Sequence, residues 1–452
     1  MKILIAGCGK VGKTLIEHLA DEGYDLTVID VDHRKTASVV DHFDIMVMMG
    51  NCGSAETLRQ AGVEHADLLI AVTGSDELNL LCCATAHGLN PKLHTIARIR
   101  NPESVNQTYT MGNIFGVSMT FNPEKQAAKE IERLIKYPGF LKRDAFAKGR
   151  VEIVELRIDS ESKLRDVSLF SLNSIVKCKV LVCAVLRAGA AIIPRGNFML
   201  KEGDRVFVTA PTNTLAMLLK NLGIVTHKNR HIILAGGGTV SYYLAEALQD
   251  EHIRVTLIEK DEEKCKKLAA KLPKVNVLAG DASDRRLMES EGLDSSDCLL
   301  AMTGMDELNV VVSMYGHSCG VPQIITKLER MDDARIIDKL PVGSIICPRK
   351  LCCTNILRYV RALQNQAGAA ITIHAIADGQ AEAMEFIVDE TTLHKRKPLK
   401  EIRLKENILL ACITHKGKIE IPNGDSFFEE GDSLVIVENR DDVILQLNDI
   451  FA

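Results

Sequence analysis

Residues 1–15 read MKILIAGCGKVGKTL, and residues 230–244 read RHIILAGGGTVSYYL. In each stretch a short apolar run ends at a glycine-rich loop, and the loop opens a segment of helical period. G-x-G-x-x-G is a weak motif alone, but between a strand and a helix it marks a nucleotide-binding turn. Gly7 permits the tight turn, Gly9 leaves the backbone open to a pyrophosphate, and Gly12 lets the helix pack close to the strand. The helix N-terminus then offers unpaired N–H groups and the positive end of its dipole. Asp30 closes the next apolar run, LTVID, 23 residues after Gly7. A carboxylate there can accept from an adenosine ribose and repels a 2′-phosphate, which favours NAD over NADP. The competing reading is a ligand-free strand-to-helix turn with a solvated carboxylate at Asp30.

The second copy is less complete. Gly236 and Gly238 remain, Ser241 takes the place of the third glycine, and Glu259 takes that of Asp30. The repetition extends well beyond the loops. DLLIAVTGSDELN from Asp67 returns as DCLLAMTGMDELN from Asp297, and NPEK after Phe121 returns as CPRK after Ile346. AAIIPRGNFMLKEGDRVFV from Ala190 returns as KIEIPNGDSFFEEGDSLVIV from Lys418. The economical reading is a duplicated two-domain unit.

Within each half the first ~120 residues alternate apolar runs (KILIA, DLTVID, IMVMMG, DLLIAVT, LHTIARI) with helical segments such as GKTLIEHLADEG and AETLRQAG. That alternation predicts a doubly wound parallel sheet with crossover helices. PEKQAAKEIERLIKYPG reads as a connecting helix, with Pro123 suited to its start and Pro138-Gly139 to its stop. The runs VEIVELRID, KVLVCAVLRAG, IIPRG and DRVFVTA, closed by TLAMLLKNLG, predict a small α+β domain, and VTHKNRH bridges the halves.

Composition limits the function classes. The chain has 452 residues, 46% hydrophobic and 25% charged, enough for several cores. A net charge of −5 gives no general basic field for nucleic acid. The thirteen cysteines form no CxxC pair and read as buried free thiols of a reducing compartment rather than metal ligands. No signal-peptide core or ~18-residue apolar span is present. The expectation is a soluble, cytoplasmic protein.

Ligands on such sheets lie at the carboxyl ends of the strands. AVTGSDELN places Thr73, Gly74, Asp76 and Asn79 there, and TIAR places Arg98, a charge-assisted partner for a phosphate. Their counterparts are Thr303, Gly304, Asp306, Asn309 and Lys327. Helix capping by Ser75 or Asp76 explains part of the same pattern. AGDASD sets Asp281 where the first half, MGNCGS, has Asn51, so the two sites are expected to be inequivalent. No tyrosine begins a Y-x-x-x-K pair, and no large substrate domain is present.

The paired blocks GCGKVG…VID…AVTGSDELN…IARIRNP and GGGTVS…LIE…GDASD…AMTGMDELN, the RLIKYPG connector and the two EGD endings resemble the TrkA family. These are the tandem RCK (regulator of potassium conductance) subunits of Trk potassium uptake systems, and the likeness runs the length of the chain. It implies Rossmann-like RCK N-terminal domains at 1–124 and 230–347, with RCK C-terminal domains at 141–225 and 369–452. It also implies binding of NAD(H), with ATP or ADP as alternatives, at a first site of Gly7, Cys8, Gly9, Lys10, Val11, Gly12, Asp30, Asn51, Cys52, Thr73, Gly74 and Arg98. The second site would comprise Gly236, Gly238, Thr239, Val240, Glu259, Asp281, Ala282, Thr303 and Lys327. The implied partners are a TrkH-like, potassium-translocating membrane subunit on the inner face of the cell membrane and further copies of the chain in a tetrameric ring. The implied function is non-enzymatic regulation. The alternatives are a cytosolic NAD-dependent oxidoreductase with a duplicated Rossmann domain and a nucleotide sensor with no channel.

Overall fold

The computed structural model describes residues 1–101, 115–224, 229–329, 340–363, 370–439, 444 and 446–452. Most of the bridge VTHKNRH, Pro102 and small parts of the expected C-terminal domains (225, 369, 440–443 and 445) lie outside the described residues. Two compact units divide the chain: Met1–Ala127 with Cys347–Leu357, and Ala128–Ile346 with Arg358–Ala452.

In the first unit the elements run β1 (Lys2–Ala6), α1 (Lys10–Asp21), β2 (Asp25–Asp30), α2 (His33–Val40), β3 (Met46–Met49), α3 (Ala55–Gln60), β4 (Leu68–Ala71), α4 (Asp76–Leu89), β5 (His94–Arg98) and β6 (Met119–Phe121). The six strands are parallel and ordered β3-β2-β1-β4-β5-β6. Ile3, Leu4, Ile5 and Ala6 are fully buried, as are Leu68–Ala71, because a parallel strand covered on both faces has no polar side to alternate with. Strand order reverses between β1 and β4, which opens a crevice at their carboxyl ends. The sixth strand carries three residues, too few for a periodic signal, and the sequence reading did not name it.

The connecting helix α5 (Pro123–Lys136) begins as its proline suggests. Asn122 caps it by accepting from the Lys125 amide at 2.8 Å. The first small domain follows as β7 (Lys142–Phe146), β8 (Val151–Arg157), α6 (Leu169–Val176), β9 (Leu181–Arg187), β10 (Ala190–Ile192), β11 (Arg205–Pro211) and α7 (Leu215–Leu222). The sequence reading named neither β7 nor α6. In β7 the run KRDAF looks solvated, yet Arg143 is buried in a bidentate pair with Glu152 at 2.7 and 2.8 Å.

The second half repeats the plan: β12 (His231–Ala235), α8 (Thr239–Leu248), β13 (Arg254–Glu259), α9 (Glu262–Lys271), β14 (Asn276–Ala279), α10 (Arg285–Ser290), β15 (Cys298–Ala301), α11 (Asp306–Ser318), β16 (Gln323–Lys327), β17 (Ser344–Ile346) and the helix α12 (Pro348–Leu363). Its parallel sheet has the matching order β14-β13-β12-β15-β16-β17. Then come β18 (Thr372–Ile376), β19 (Ala381–Ile387), β20 (Ile408–His415), β21 (Lys418–Glu420) and β22 (Ser433–Glu438). The two small sheets, β7-β8-β11-β9-β10 and β18-β19-β22-β20-β21, share one topology.

The connecting helices are exchanged between halves. The carbonyls of Leu134 and Ile135, in the last turns of α5, accept from Gln323 and Asn229 of the second sheet domain at 2.9 Å each. The first turns of α12 pack in the first unit, where the Cys353 thiol faces the Val11 carbonyl at 3.9 Å and Asn355 donates to Gln126 at 2.7 Å.

The two small sheets bury a common core that includes Phe146, Cys183 and Phe207 from one and Ile376, Cys412 and Val435 from the other. Equivalent positions reach across it: Arg150 donates to the Gly417 carbonyl at 3.1 Å, and Gln380 to the Gly189 carbonyl at 2.5 Å. Asp144 and His374, also equivalent, meet at 3.0 Å. Nearby on α5, Glu130 keeps a buried Oε1 with no hydrogen-bond partner. Burial, and then the charge of Asp144, push its carboxyl up to about 7 despite Arg133 at 3.5 Å. A carboxyl raised in this way contributes stability that is fully present below its ordinary value and is lost as pH rises through about 7. Glu130→Gln is therefore expected to be near neutral at acidic pH and to stabilise by about 2–3 kcal/mol at pH 8, measured by urea unfolding at both pH values.

Candidate functional site

All the residues expected at the first site lie at or just beyond the carboxyl ends of β1 to β5. Gly7 adopts φ 113°, a conformation that side chains resist, and Gly236 matches it at 106°. A Cβ built on Gly12 would stand 1.9 Å from the Gly7 carbonyl oxygen, so α1 reaches β1 at a distance that only glycine allows. Ser241, at the same position of the second loop, instead donates its hydroxyl to the Gly236 carbonyl at 2.5 Å. Gly9 is the N-cap of α1 and has no side chain to cap it, and a Cβ there would meet nothing within 4 Å. Gly238 caps α8 in the same way, with one carbonyl 3.9 Å away. Lys10 and Val11, like Thr239 and Val240, form the first turns of these helices, with both valines buried.

Asp30 braces the loop. Its Oδ2 accepts from the Cys8 amide at 2.6 Å and its Oδ1 from the Asp32 amide at 2.9 Å. Burial, and then the Asp30 charge, push the Cys8 thiol up to about 12, which keeps it inert. Glu259 accepts from the Gly237 and Asp261 amides at 2.9 and 3.1 Å and also from Lys264 Nζ at 2.6 Å. Burial opposes its ionisation, but Lys264 and the two amides outweigh it and hold the carboxyl below its usual range. Asp30 has no ion-pair partner among the described residues. The sequence reading missed Lys264, because a lysine five residues beyond the acid belongs to no motif.

After β3, exposed Asn51 accepts from the Gly53 amide at 2.9 Å, and Cys52 is buried. In the second half Asp281 accepts from the Ser283 amide and hydroxyl and from Lys260. Those partners, led by the amide, hold its carboxyl at about 2. Ala282 is buried beside it.

The TG-x-DELN segments have a strong structural role. Asn79 accepts from the Thr73 amide and hydroxyl at 2.8 and 2.7 Å and donates to the Arg98 carbonyl at 2.9 Å, which ties the end of β4 to that of β5. Asn309, Thr303 and Lys327 repeat every distance. Ser75 caps α4 by accepting from the Leu78 amide, while Asp76 is buried and accepts from the Arg100 and Asn101 amides at 2.8 Å each. A Cβ on Gly74 or Gly304 would meet nothing within 4 Å. The Arg98 guanidinium is 3.2 Å from Glu124 at the start of α5, and Lys327 is 3.7 Å from Glu329. Among the described residues no group of three metal-ligating side chains gathers.

The TrkA-N domain model matches residues 3–123 and 232–348, and the TrkA-C domain model matches 153–223. The TrkA homolog of Archaeoglobus fulgidus is 30% identical over 98% of both chains. The Halomonas elongata TrkA is 30% identical over 96% of this chain and 95% of its own. The GsuK RCK domain superposes with a TM-score of 0.62 over 97% of this chain and 92% of its own at 16% identity. The GsuK channel bound to NAD gives 0.59 at 17% identity, over 97% of this chain and 77% of its own. At such identities these structures establish the fold. The second small domain shares the strand order of the first, so the tandem RCK architecture read from the sequence spans the chain. The residues, the fold and the full-length relatives agree: the chain belongs to the TrkA family of Trk system potassium uptake proteins.

Proposed function

We propose that this chain, a regulatory subunit of potassium uptake, controls a TrkH-like membrane subunit through nucleotide bound at its two glycine loops, with NAD(H) at the first. The observation that carries this reading is the pair of uncapped helix N-termini, with open space over Gly9 and almost as much over Gly238. Amides in that state satisfy an anionic ligand at little reorganisation cost. The relation to a channel described as bound to NAD supports the choice of ligand. At the first site the carboxylate of Asp30 keeps lone pairs for a ribose diol beyond its two amide bonds. ADP or ATP would use the same phosphate cradle. No helix among the described residues is long and apolar enough to cross a membrane, so the chain would act on the inner membrane face through its partner.

Regulation by ligand requires different affinities for two states. Moving a population from 1:99 to 99:1 takes about 5.5 kcal/mol. In a tetrameric ring, about eight sites would share it at about 0.7 kcal/mol each, roughly a threefold preference per site. Bond making is unnecessary for such a shift of population. Steady absorbance at 340 nm with NADH and a panel of carbonyl substrates is the expected result; turnover would favour the oxidoreductase alternative.

Potassium flux in liposomes holding the membrane subunit should change steeply with NADH or ADP when this protein is added. Flux indifferent to protein and nucleotide would reject the proposal. Asp30→Ala should weaken NADH binding about tenfold to a hundredfold by calorimetry, as expected for a charged hydrogen bond of about 1.5–3 kcal/mol. The loop glycines should separate in effect. Gly12→Ala is expected to cost about 1–3 kcal/mol of stability. Gly9→Leu should leave the unfolding midpoint nearly unchanged yet weaken nucleotide binding by about tenfold or more.

A further inference from the structure

Glu124 is left over by every role assigned so far. It stands in the first turn of α5, immediately after β6, and its Oε1 lies 3.2 Å from the guanidinium Nη2 of Arg98 at the end of β5. The two side chains are 19% and 16% exposed. Each keeps one buried polar atom with no hydrogen-bond partner, Glu124 Oε2 and Arg98 Nε. The pair is therefore a single-point contact. An arginine and a carboxylate can form two parallel hydrogen bonds, as Arg143 and Glu152 do at 2.7 and 2.8 Å and Arg187 and Asp204 do at 2.7 Å each.

The position matters because both ends are anchored. The Arg98 carbonyl is tied through Asn79 to Thr73, beside the glycine loop. Glu124 belongs to the helix whose first turn is fixed by Asn122 and whose last turns carry the Leu134 and Ile135 carbonyls bonded to the second sheet domain. A phosphate competes for arginine with a carboxylate, and arginine has donors enough to change partners. A buried carboxylate that loses its cation must reach water or another donor. The position equivalent to Glu124 in the second half is Arg349, and Lys327 pairs with Glu329 instead, so this acid-to-helix link has no counterpart among the described residues of the second half.

We infer that Glu124 is a positioning residue that reports occupancy of the first nucleotide site to the connecting helix, by giving up Arg98 to the phosphates of the bound nucleotide. This rests on the reading that a nucleotide binds the first glycine loop. Two consequences separate it from a merely structural ion pair. Glu124 and the ligand compete, so neutralising the acid tightens binding. The start of α5 also becomes less protected when the site fills.

The test uses the full-length protein with NADH and ADP as probes. Amide hydrogen exchange of the peptides covering Pro123–Lys136, read by mass spectrometry in the wild type, should rise on nucleotide addition. Glu124→Gln should bind NADH about threefold to tenfold more tightly by calorimetry, with α5 exchange no longer responding to nucleotide. Nucleotide that binds the wild type while α5 exchange stays unchanged overturns the inference and leaves the proposed function standing. So does a Glu124→Gln protein that binds NADH equally or more weakly, or still responds in α5. Failure of the wild type to bind either probe overturns both readings. The wild-type arm decides the matter even if the variant does not fold.

Discussion

The approach of one helix to one strand sets most of this structure. With 1.9 Å between the Gly7 carbonyl and the place a Cβ would occupy on Gly12, α1 is pinned so that its first amides emerge beside β1, where strand order reverses. The adjacent acid does the complementary work. Asp30 holds the Cys8 amide, and Glu259 holds that of Gly237, so the loop between strand and helix is clamped from the second strand. In the second half a serine hydroxyl bonded to the loop carbonyl takes over from the absent third glycine. The same path of backbone is thus held by two different chemistries.

The halves part company in electrostatics more than in shape. Every hydrogen bond of the Thr–Asn–carbonyl tie recurs at the same length, 2.8, 2.7 and 2.9 Å in both halves. The charges around the ties do not recur. Asp30 has no ion-pair partner among the described residues, whereas Lys264 pairs with Glu259 at 2.6 Å. Asn51 answers to Asp281, and Glu124 to Arg349. The duplicated scaffold thus keeps its ties while the charges around them diverge.

Much of this was legible in the sequence because it depends on local chemistry. Gly7, Gly9 and Gly12 announce a turn, an approach and a packing contact by the absence of a side chain, and apolar runs such as KILIA announce strands buried on both faces. Less legible was whatever depends on partners distant in sequence. Asp30 could be read as a ribose acceptor, but its bond to the Cys8 amide needs the fold. Asp76 and Asn79 looked like ligand or cap residues, and the structure shows them holding loop amides and strand ends together. Strand β7 was hidden because Arg143 and Asp144 look solvent-bound until their partners Glu152 and His374 are in place. The exchange of connecting helices is equally silent in sequence, since PEKQAAKEIERLI has the same pattern whichever sheet it packs on.

The packing of the two small sheets has a consequence for how such a chain diverges. In an assembly of identical single units, a residue near the symmetry axis confronts its own copy, and an aspartate there would face an aspartate at a cost in charge repulsion. Joining the units in one polypeptide removes that restriction. Position 144 can be acidic while its counterpart 374 is a histidine 3.0 Å away. Arg205 can bridge Glu155 and Asp378 while its own counterpart, Ser433, donates to Glu385. Covalent linkage also fixes which halves meet, so complementary pairs at the axis persist without any risk of mispairing like with like.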